Sequence, residues 1–508
     1  MRLEGIFAAH ARRQPQAEAL VCGELRVSYG ELYRQVRHAA SALRALGVGP
    51  GDRVLLHLPN GIEFVQLAYA AFTVGATVVP ANTRLAPPEV AHIVADSQPV
   101  LAACHESGRA ALAALPVSAR RVVVGTPQAG EIAIGELLNA PLMDLPDVPV
   151  EFDDCLILYT SGTTGRAKGA VNTHANMVTQ GIHIHGREWG VRAGDRVLVT
   201  TPIAHRAGVA RMINSLGFGG TLVIMERFDP LAALELIRTE RITTAGLVPT
   251  VIRMMLPHIR KDPGAFASLR TVIVSTEAFP VTLKQEVMAL LPNAEFHALF
   301  GSSECLVTNL GPAEQFTHAA SVGRPIPGVE VRIADDQGRD VPRGEAGELL
   351  VRDGRPGSGA TMRCYFNLPD ETAAALKDGW FHTGDMARED EEGYLYIVDR
   401  KKDMVLTGGY NVYSKEVEEV LRTHPAVADV AVIGVPDPVF GEAVAAFIEP
   451  RAGADATMLD AEAMAEHCRE RMAGYKKPKH VWVLPALPRN STGKVLKNEL
   501  REQAISLI

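Results

Sequence analysis

The sequence predicts an α/β protein, with a large N-terminal domain built on more than one sheet and a small α+β domain at its C-terminal end. Length is the first reason: 508 residues exceed what a single hydrophobic core holds, so two or more domains are expected. Pattern is the second. Strand-like apolar runs alternate with helical spacing from Arg53 to Val274, the signature of βαβ crossovers and a largely parallel sheet, whereas the stretch beyond Gly408 carries short strands around helices.

Taken in order, Ser28-Tyr-Gly-Glu31 forms a capping box that opens a helix through Leu43, stopping before Gly47. Arg53-Val-Leu-Leu-His-Leu58 reads as a strand. Phe64 to Val79 is apolar but interrupted by Gln66, Thr73, Gly75 and Thr77, so it reads as a buried helix, a glycine turn and the strand Thr77–Pro80, not as a membrane span. Further strands are expected at Arg121–Val124, Leu156–Tyr159, Arg196–Thr200, Thr221–Met225, Thr244–Val248 and Thr271–Val274, with a Pro/Ala/Gly-rich connection over 127–150. Later strands are expected at Tyr394–Val398, Val430–Val435, Val444–Phe447 and Val481–Leu484. No internal repeat is present.

Composition removes several function classes. The net charge of 51 − 59 = −8 gives no electrostatic reason to bind nucleic acid or an anionic membrane. Six cysteines, at 22, 104, 155, 305, 364 and 468, form no Cys-x-x-Cys pair, which argues against a zinc knuckle or a disulfide framework and for a reducing cytoplasm. The N-terminus, with Arg2, Glu4, Arg12 and Arg13, lacks the apolar core of a signal peptide. Small molecules are the expected partners, and a homodimer is left open.

The chemistry centres on Leu158-Tyr-Thr-Ser-Gly-Thr-Thr-Gly-Arg-Ala-Lys-Gly169, which follows an apolar strand and precedes a helix expected near Thr173. Gly162, Gly165 and Gly169 let the backbone curl, Thr160, Ser161, Thr163 and Thr164 supply hydroxyl donors, and Lys168 supplies a positive charge. That combination cradles a polyphosphate. It is not a P-loop, because Lys168 follows Gly165 by three residues and is itself followed by Gly169. Further along stand Thr200-Thr-Pro-Ile-Ala-His-Arg-Ala-Gly208, Phe300-Gly-Ser-Ser-Glu304, Trp380-Phe-His-Thr-Gly-Asp385, Asp399-Arg-Lys-Lys-Asp403, Gly408-Gly-Tyr-Asn-Val412 and Leu487-Pro-Arg-Asn-Ser-Thr-Gly-Lys494. Asp385 is read at the end of a short turn.

In content and order these motifs resemble those of the adenylate-forming superfamily, which contains acyl-CoA synthetases, the adenylation domains of peptide synthetases and beetle luciferases. The resemblance spans about residues 1–500. It implies an N-terminal adenylation domain over 1–400 and a mobile C-terminal domain over 401–508. It implies an AMP-forming carboxylic acid–CoA ligase that uses ATP, Mg²⁺ and coenzyme A. ATP is expected to meet Thr160, Ser161, Gly162, Thr163, Thr164, Gly165 and Lys168, then Phe300, Gly301, Ser302 and Ser303. Asp385 would hold the ribose, Arg400 the ribose or a phosphate, and Lys494 would be the catalytic lysine. Glu304 would hold Mg²⁺, since a carboxylate suits a hard cation. Lys402 matches the hinge, and Gly408 and Gly409 would line the path of CoA. His205 would lie beside the acid, with Val209, Ala278, Leu299 and Gly301 lining its pocket. Arg206 and Arg211 are read as solvated or structural charges.

The chain departs from the family pattern at Thr276 and Phe279, which weakens the adenine contact there, and at Ser414, where proline is usual. The acid is expected to be medium-chain, alicyclic or aromatic, because none of Trp189, Trp380 and Trp482 falls in a pocket motif where the family's acetate enzymes place a tryptophan. A stand-alone enzyme loading a separate carrier protein is the alternative, although no carrier segment follows Lys494. The C-terminal Ser-Leu-Ile does not match the Ser-Lys-Leu address of a peroxisomal luciferase.

Overall fold

Two large sheets, each parallel in its middle and antiparallel at one or both edges, organise the N-terminal part of this computed structural model. The structure describes residues 1–160, 167–275, 279–408, 410–454, 459–469, 471–489 and 493–508. The chain forms two compact units, 1–331 with 351–381, and 332–350 with 382–508.

The eight-stranded sheet of the first unit runs in the order Cys364–Tyr365, Lys168–Thr173, Asp154–Thr160, Thr77–Pro80, Arg53–His57, Leu101–His105, Arg120–Val124 and Ile132–Ala133. From Asp154–Thr160 onward neighbours are parallel. Thr77–Pro80 is buried along its whole length, as expected of a strand covered on both faces. The expected helix and glycine turn precede it, as Ile62–Thr73 and a Gly75 with φ +79°. Half of the expected capping box forms: Ser28 accepts from the Glu31 N–H at 3.2 Å and opens Tyr29–Ala45, while the Glu31 carboxylate accepts from Arg34 and Gln35.

The nine-stranded sheet runs Arg324–Pro325, Leu306–Leu310, Glu295–Gly301, Thr271–Val274, Thr244–Leu247, Arg196–Val199, Thr221–Ile224, Glu18–Cys22 and Leu25–Ser28. Its six central strands, from Glu295–Gly301 to Glu18–Cys22, are parallel to one another. Their carboxyl ends share one edge, where open α/β sheets bind ligands.

Two local expectations are corrected. The end of the expected phosphate-binding stretch belongs to a strand, Lys168–Thr173, antiparallel to Asp154–Thr160 with Thr160 opposite Lys168, and the expected helix follows directly as His174–Val178. Gly169 therefore serves close packing more than curling: a Cβ there would lie 2.6 Å from Ile157 and 3.2 Å from Tyr159. Trp380–Asp385 is not a turn but the start of the strand Trp380–Glu389. Antiparallel pairing with Leu395–Arg400 sets Asp385 opposite Arg400, and a ladder partner of this kind is invisible to local turn signals.

In the second unit, Tyr410–Val412, Val405–Thr407, Gly441–Pro450 and Val427–Asp437 form an antiparallel sheet, and His480–Val483 joins Gly441–Pro450 in parallel. Val430, Val432, Val444 and Ala446 face a core with Val417, Leu421, Met464 and Cys468. The intervening Ala431, Ile433, Ala445 and Phe447 face Leu500 and Ala504 of the last helix. Cover on both faces explains why these strands are apolar runs. Ser414 opens the helix Ser414–Arg422 by donating its N–H to Asp399, a bond the usual proline could not make. All six cysteines are free, and no described helix is long and apolar enough to cross a membrane.

Candidate active site

In the first unit, one short segment ties the two hairpins that carry the nucleotide motifs. Residues 360–366 run between them. Leu306 N–H donates to Ala360 O at 3.0 Å, Met362 N–H to Glu304 O at 2.6 Å, and Phe366 N–H to Gly169 O at 2.7 Å. Asn172 Nδ2 adds a bond to Ser303 O at 3.2 Å. This lacing delivers Tyr365, which the sequence motifs did not single out. Its hydroxyl donates to Glu304 Oε1 at 3.0 Å, and the Lys168 ammonium stands 5.1 Å from its ring centroid. One phenol thus joins the expected phosphate cation to the expected metal carboxylate. Its only sequence signal was a Cys-Tyr-Phe run too short to read as a strand.

Ser302–Cys305 is the tight turn between Glu295–Gly301 and Leu306–Leu310, closed by Ser302 N–H to Cys305 O at 2.7 Å. Ser302 Oγ accepts the Glu304 N–H at 3.1 Å. A Cβ on Gly301 would sit 2.7 Å from Cys305 O, so glycine is required for this close turn. Phe300 is paired opposite Thr308 and half-buried. Among the described residues no three His, Cys, Asp or Glu side chains cluster as a metal cage. A single carboxylate with one oxygen oriented by Tyr365 nevertheless fits Mg²⁺, which is held by one or two carboxylates plus substrate phosphates.

His205 is the N-cap of the helix Arg206–Phe218, with its Nδ1 facing the Ala207 N–H at 3.4 Å. Accepting there leaves Nε2 as the protonated nitrogen, a donor for a carboxylate. Burial, and next the Arg206 charge, hold this imidazole below its ordinary value, so it is neutral at pH 7. Asn60 fixes the preceding turn. It donates to Thr201 O at 3.0 Å and accepts from the Ile203 N–H at 2.7 Å. The sequence gave no reason to single out Asn60.

Ala207 and Arg211 lie on one face of this helix and line a cavity of about 10 Å³ with Thr201, Gly246, Val248 and Ser275. Val209, half a turn away, packs instead into the core with Ile203, Met212 and Ile213. Leu299 packs beside Trp189, Val191 and Ile273. Of the two readings offered for Arg211, a solvated or a structural charge, the first is excluded: it is 4% exposed, its Nη1 has no hydrogen-bond partner, and burial pulls it down to about 9. Trp189 lies under it, with the guanidinium carbon 4.9 Å from the ring, and His185 stacks on Trp189 at 3.7 Å. Arg206 is half-buried and donates to Gln180.

Within the second unit, Arg400 Nε pairs with Asp385 Oδ1 at 3.1 Å. Lys494 is lowered to about 8, first by burial and then by the Arg400 and Lys402 charges, while Asp385 and Asp403 act the other way. The residue as a whole is exposed, so solvent discounts the first cause and the two cations carry more weight. Asp385, Arg400, Lys402 and Lys494 therefore share one electrostatic neighbourhood. Arg501 binds Lys402 O at 3.2 Å and Asp403 at 2.7 Å. Gly408 takes a left-handed φ of +57° and donates to Phe440 O at 2.9 Å. The expected contacts at Ser161, Gly162, Thr163, Thr164, Gly165, Ala278 and Gly409 lie outside the described residues.

Parallel sheets, a lysine joined through Tyr365 to a carboxylate, and a separate lysine-bearing unit are the arrangement expected of an enzyme that activates a carboxylate with ATP. The chain belongs to the AMP-binding enzyme family, whose model matches residues 7–366, with the AMP-binding enzyme C-terminal domain matching 416–494. It is 37% identical to a feruloyl-CoA synthase of Amycolatopsis sp, over 99% of this chain and 100% of that one. It is also 37% identical to a long-chain-fatty-acid–CoA ligase of Mycobacterium tuberculosis, over 94% of this chain and 93% of that one. Its fold is similar to that of o-succinylbenzoate CoA synthetase from Bacillus subtilis in complex with its acyl-adenylate intermediate, with a TM-score of 0.85 at 27% identity over 98% and 97% of the two chains. It is an AMP-forming acyl-CoA synthetase.

Proposed function

We propose that the protein joins a medium-chain, alicyclic or aromatic carboxylic acid to coenzyme A in two half-reactions. In the first, the acid's carboxylate attacks the α-phosphorus of ATP, giving acyl-AMP and pyrophosphate. In the second, the thiol of CoA attacks the acyl carbonyl and AMP leaves. The Lys168–Tyr365–Glu304 arrangement supports this reading above any other observation, because it pairs a phosphate cation with an oriented carboxylate in one place.

The enzyme's task in the first step is alignment of two anions and stabilisation of charge on the α-phosphate. Lys168 and Lys494 supply fixed positive charge. Neutral His205 donates from Nε2 to position the acid without adding a proton that would quench the nucleophile. Asp385, oriented by Arg400, accepts the ribose hydroxyls. Glu304 would hold Mg²⁺, which when bound neutralises phosphate charge. The C-terminal part, taken as 401–508, would turn about Lys402 between the halves, with Gly408 and Gly409 leaving room for pantetheine. A cytoplasmic setting agrees with six unpaired cysteines. A screen of pyrophosphate release over a panel of acids, followed by acyl-CoA detection, tests the proposal. Pyrophosphate release without thioester, restored by a carrier protein in place of CoA, would favour the carrier-loading alternative.

A further inference from the structure

Burying a guanidinium without an acid beside it is costly, and folds retain such a charge where a ligand completes it. Arg211 is such a charge: among the described residues it forms no ion pair, and its Nη1 has no hydrogen-bond partner. The charge that acts on it besides burial is another cation, Arg206, which donates to the neutral amide of Gln180. The Trp189 ring face attracts the guanidinium but leaves Nη1 unpaired. The strand opposite has been kept small to admit it: a Cβ on Gly246 would lie 3.0 Å from Arg211 Cδ and 3.3 Å from Nε. The cavity it lines, about 10 Å³ and so room for one water as it stands, has the hydroxyl-bearing Thr201 and Ser275 on its wall and lies at the carboxyl ends of neighbouring parallel strands, where open α/β sheets bind ligands.

The two arginines serve different ends of that region. Arg206 adjoins His205 and, through Gln180 and its 2.9 Å bond to Ala360 O, the segment that carries the Glu304 turn. Arg211 stands five residues on, about 7.5 Å further along the helix axis. One anion, the reacting carboxylate, belongs near His205. A second is needed at Arg211.

We propose that the acid activated by this enzyme carries a second carboxylate, and that Arg211 binds that distal carboxylate and so sets the specificity. This rests on the acid-activation reading above. The occupant is an α,ω-dicarboxylic or carboxyaryl acid.

The test is pyrophosphate release with matched acids: hexanoic against adipic, octanoic against suberic, benzoic against terephthalic. Wild-type enzyme should favour the diacid of at least one pair by about 10-fold or more in kcat/KM, the lower end of a desolvated charge pair. The preference should sit in KM, because a remote contact holds ground and transition states alike. Arg211→Met should abolish it and Arg211→Lys should keep part of it. The wild-type comparison alone decides if either variant misfolds. A preference for the monoacid in every pair, an undiminished preference in a folded Arg211→Met protein, or equal use of adipic acid and its terminal amide would overturn the assignment while leaving acid activation intact. Absence of pyrophosphate release with every acid would remove both readings.

Discussion

Replacing Tyr365 by phenylalanine removes one oxygen atom and leaves the ring that faces Lys168. The lost contact is a 3.0 Å hydrogen bond to the Glu304 carboxylate, and a neutral donor on an ionised acceptor contributes about 1.5–3 kcal/mol. At 1.36 kcal/mol per decade that is about 10- to 150-fold, which agrees with the roughly 10–100-fold loss when a group orienting a metal ligand is removed. Tyr365→Leu would in addition remove the ring under Lys168, 5.1 Å away, for a further 2- to 5-fold. The assay is acid-dependent ATP–pyrophosphate exchange titrated with Mg²⁺. Tyr365→Phe should move the Mg²⁺ midpoint upward by about one decade or more, with near-wild-type exchange at saturation. Glu304→Gln, which keeps the shape and loses the charge, should shift it further. A folded Tyr365→Phe protein with the wild-type Mg²⁺ midpoint would refute both the role of Tyr365 and the assignment of Glu304.

Lys494→Ala should lower acyl-AMP formation by about 10²–10³, while conversion of supplied acyl-AMP to acyl-CoA persists; equal losses in both would make Lys494 a structural residue. Because burial and the Arg400 and Lys402 charges lower Lys494 toward about 8, its cation is present below its lowered value and lost above it, so the acyl-AMP rate should fall on the alkaline side, at or above pH 8 and below the ordinary lysine value, a limb that rate-against-pH profiles should no longer show in Lys494→Ala. Lys402→Pro fixes φ near −65° and should uncouple the halves, sparing pyrophosphate release and abolishing thioester formation; unchanged thioester formation in the folded mutant would end the hinge assignment. Asn60→Ala leaves the buried Ile203 N–H without its 2.7 Å acceptor and should cost about 1–3 kcal/mol by denaturant midpoint, with a raised KM for the acid as the His205 turn loosens.

How much of this could be read from the chain depends on range. The alternation of strands and helices, the Ser28 cap, the buried helix before Gly75 and the sequence-contiguous motifs all follow from local periodicity and turn chemistry, which a linear sequence displays directly. Lys168 follows from its glycine- and hydroxyl-rich loop, whereas Glu304, Asp385, Arg400 and Lys494 became candidates through the resemblance of the short motifs that hold them to those of the adenylate-forming superfamily. Only the folded chain decided which of them meet. Asp385 faces Arg400 through an antiparallel register set fifteen residues apart, and Tyr365 joins Lys168 to Glu304 across nearly two hundred residues and sixty-one residues respectively. Asn60 holds a turn more than a hundred and forty residues away. Arg211 shows the limit most plainly. In sequence it is one charge on a helix and reads as solvated or structural; its meaning comes from burial and from the unpaired Nη1, and both are properties of what packs around a side chain, which no local pattern encodes.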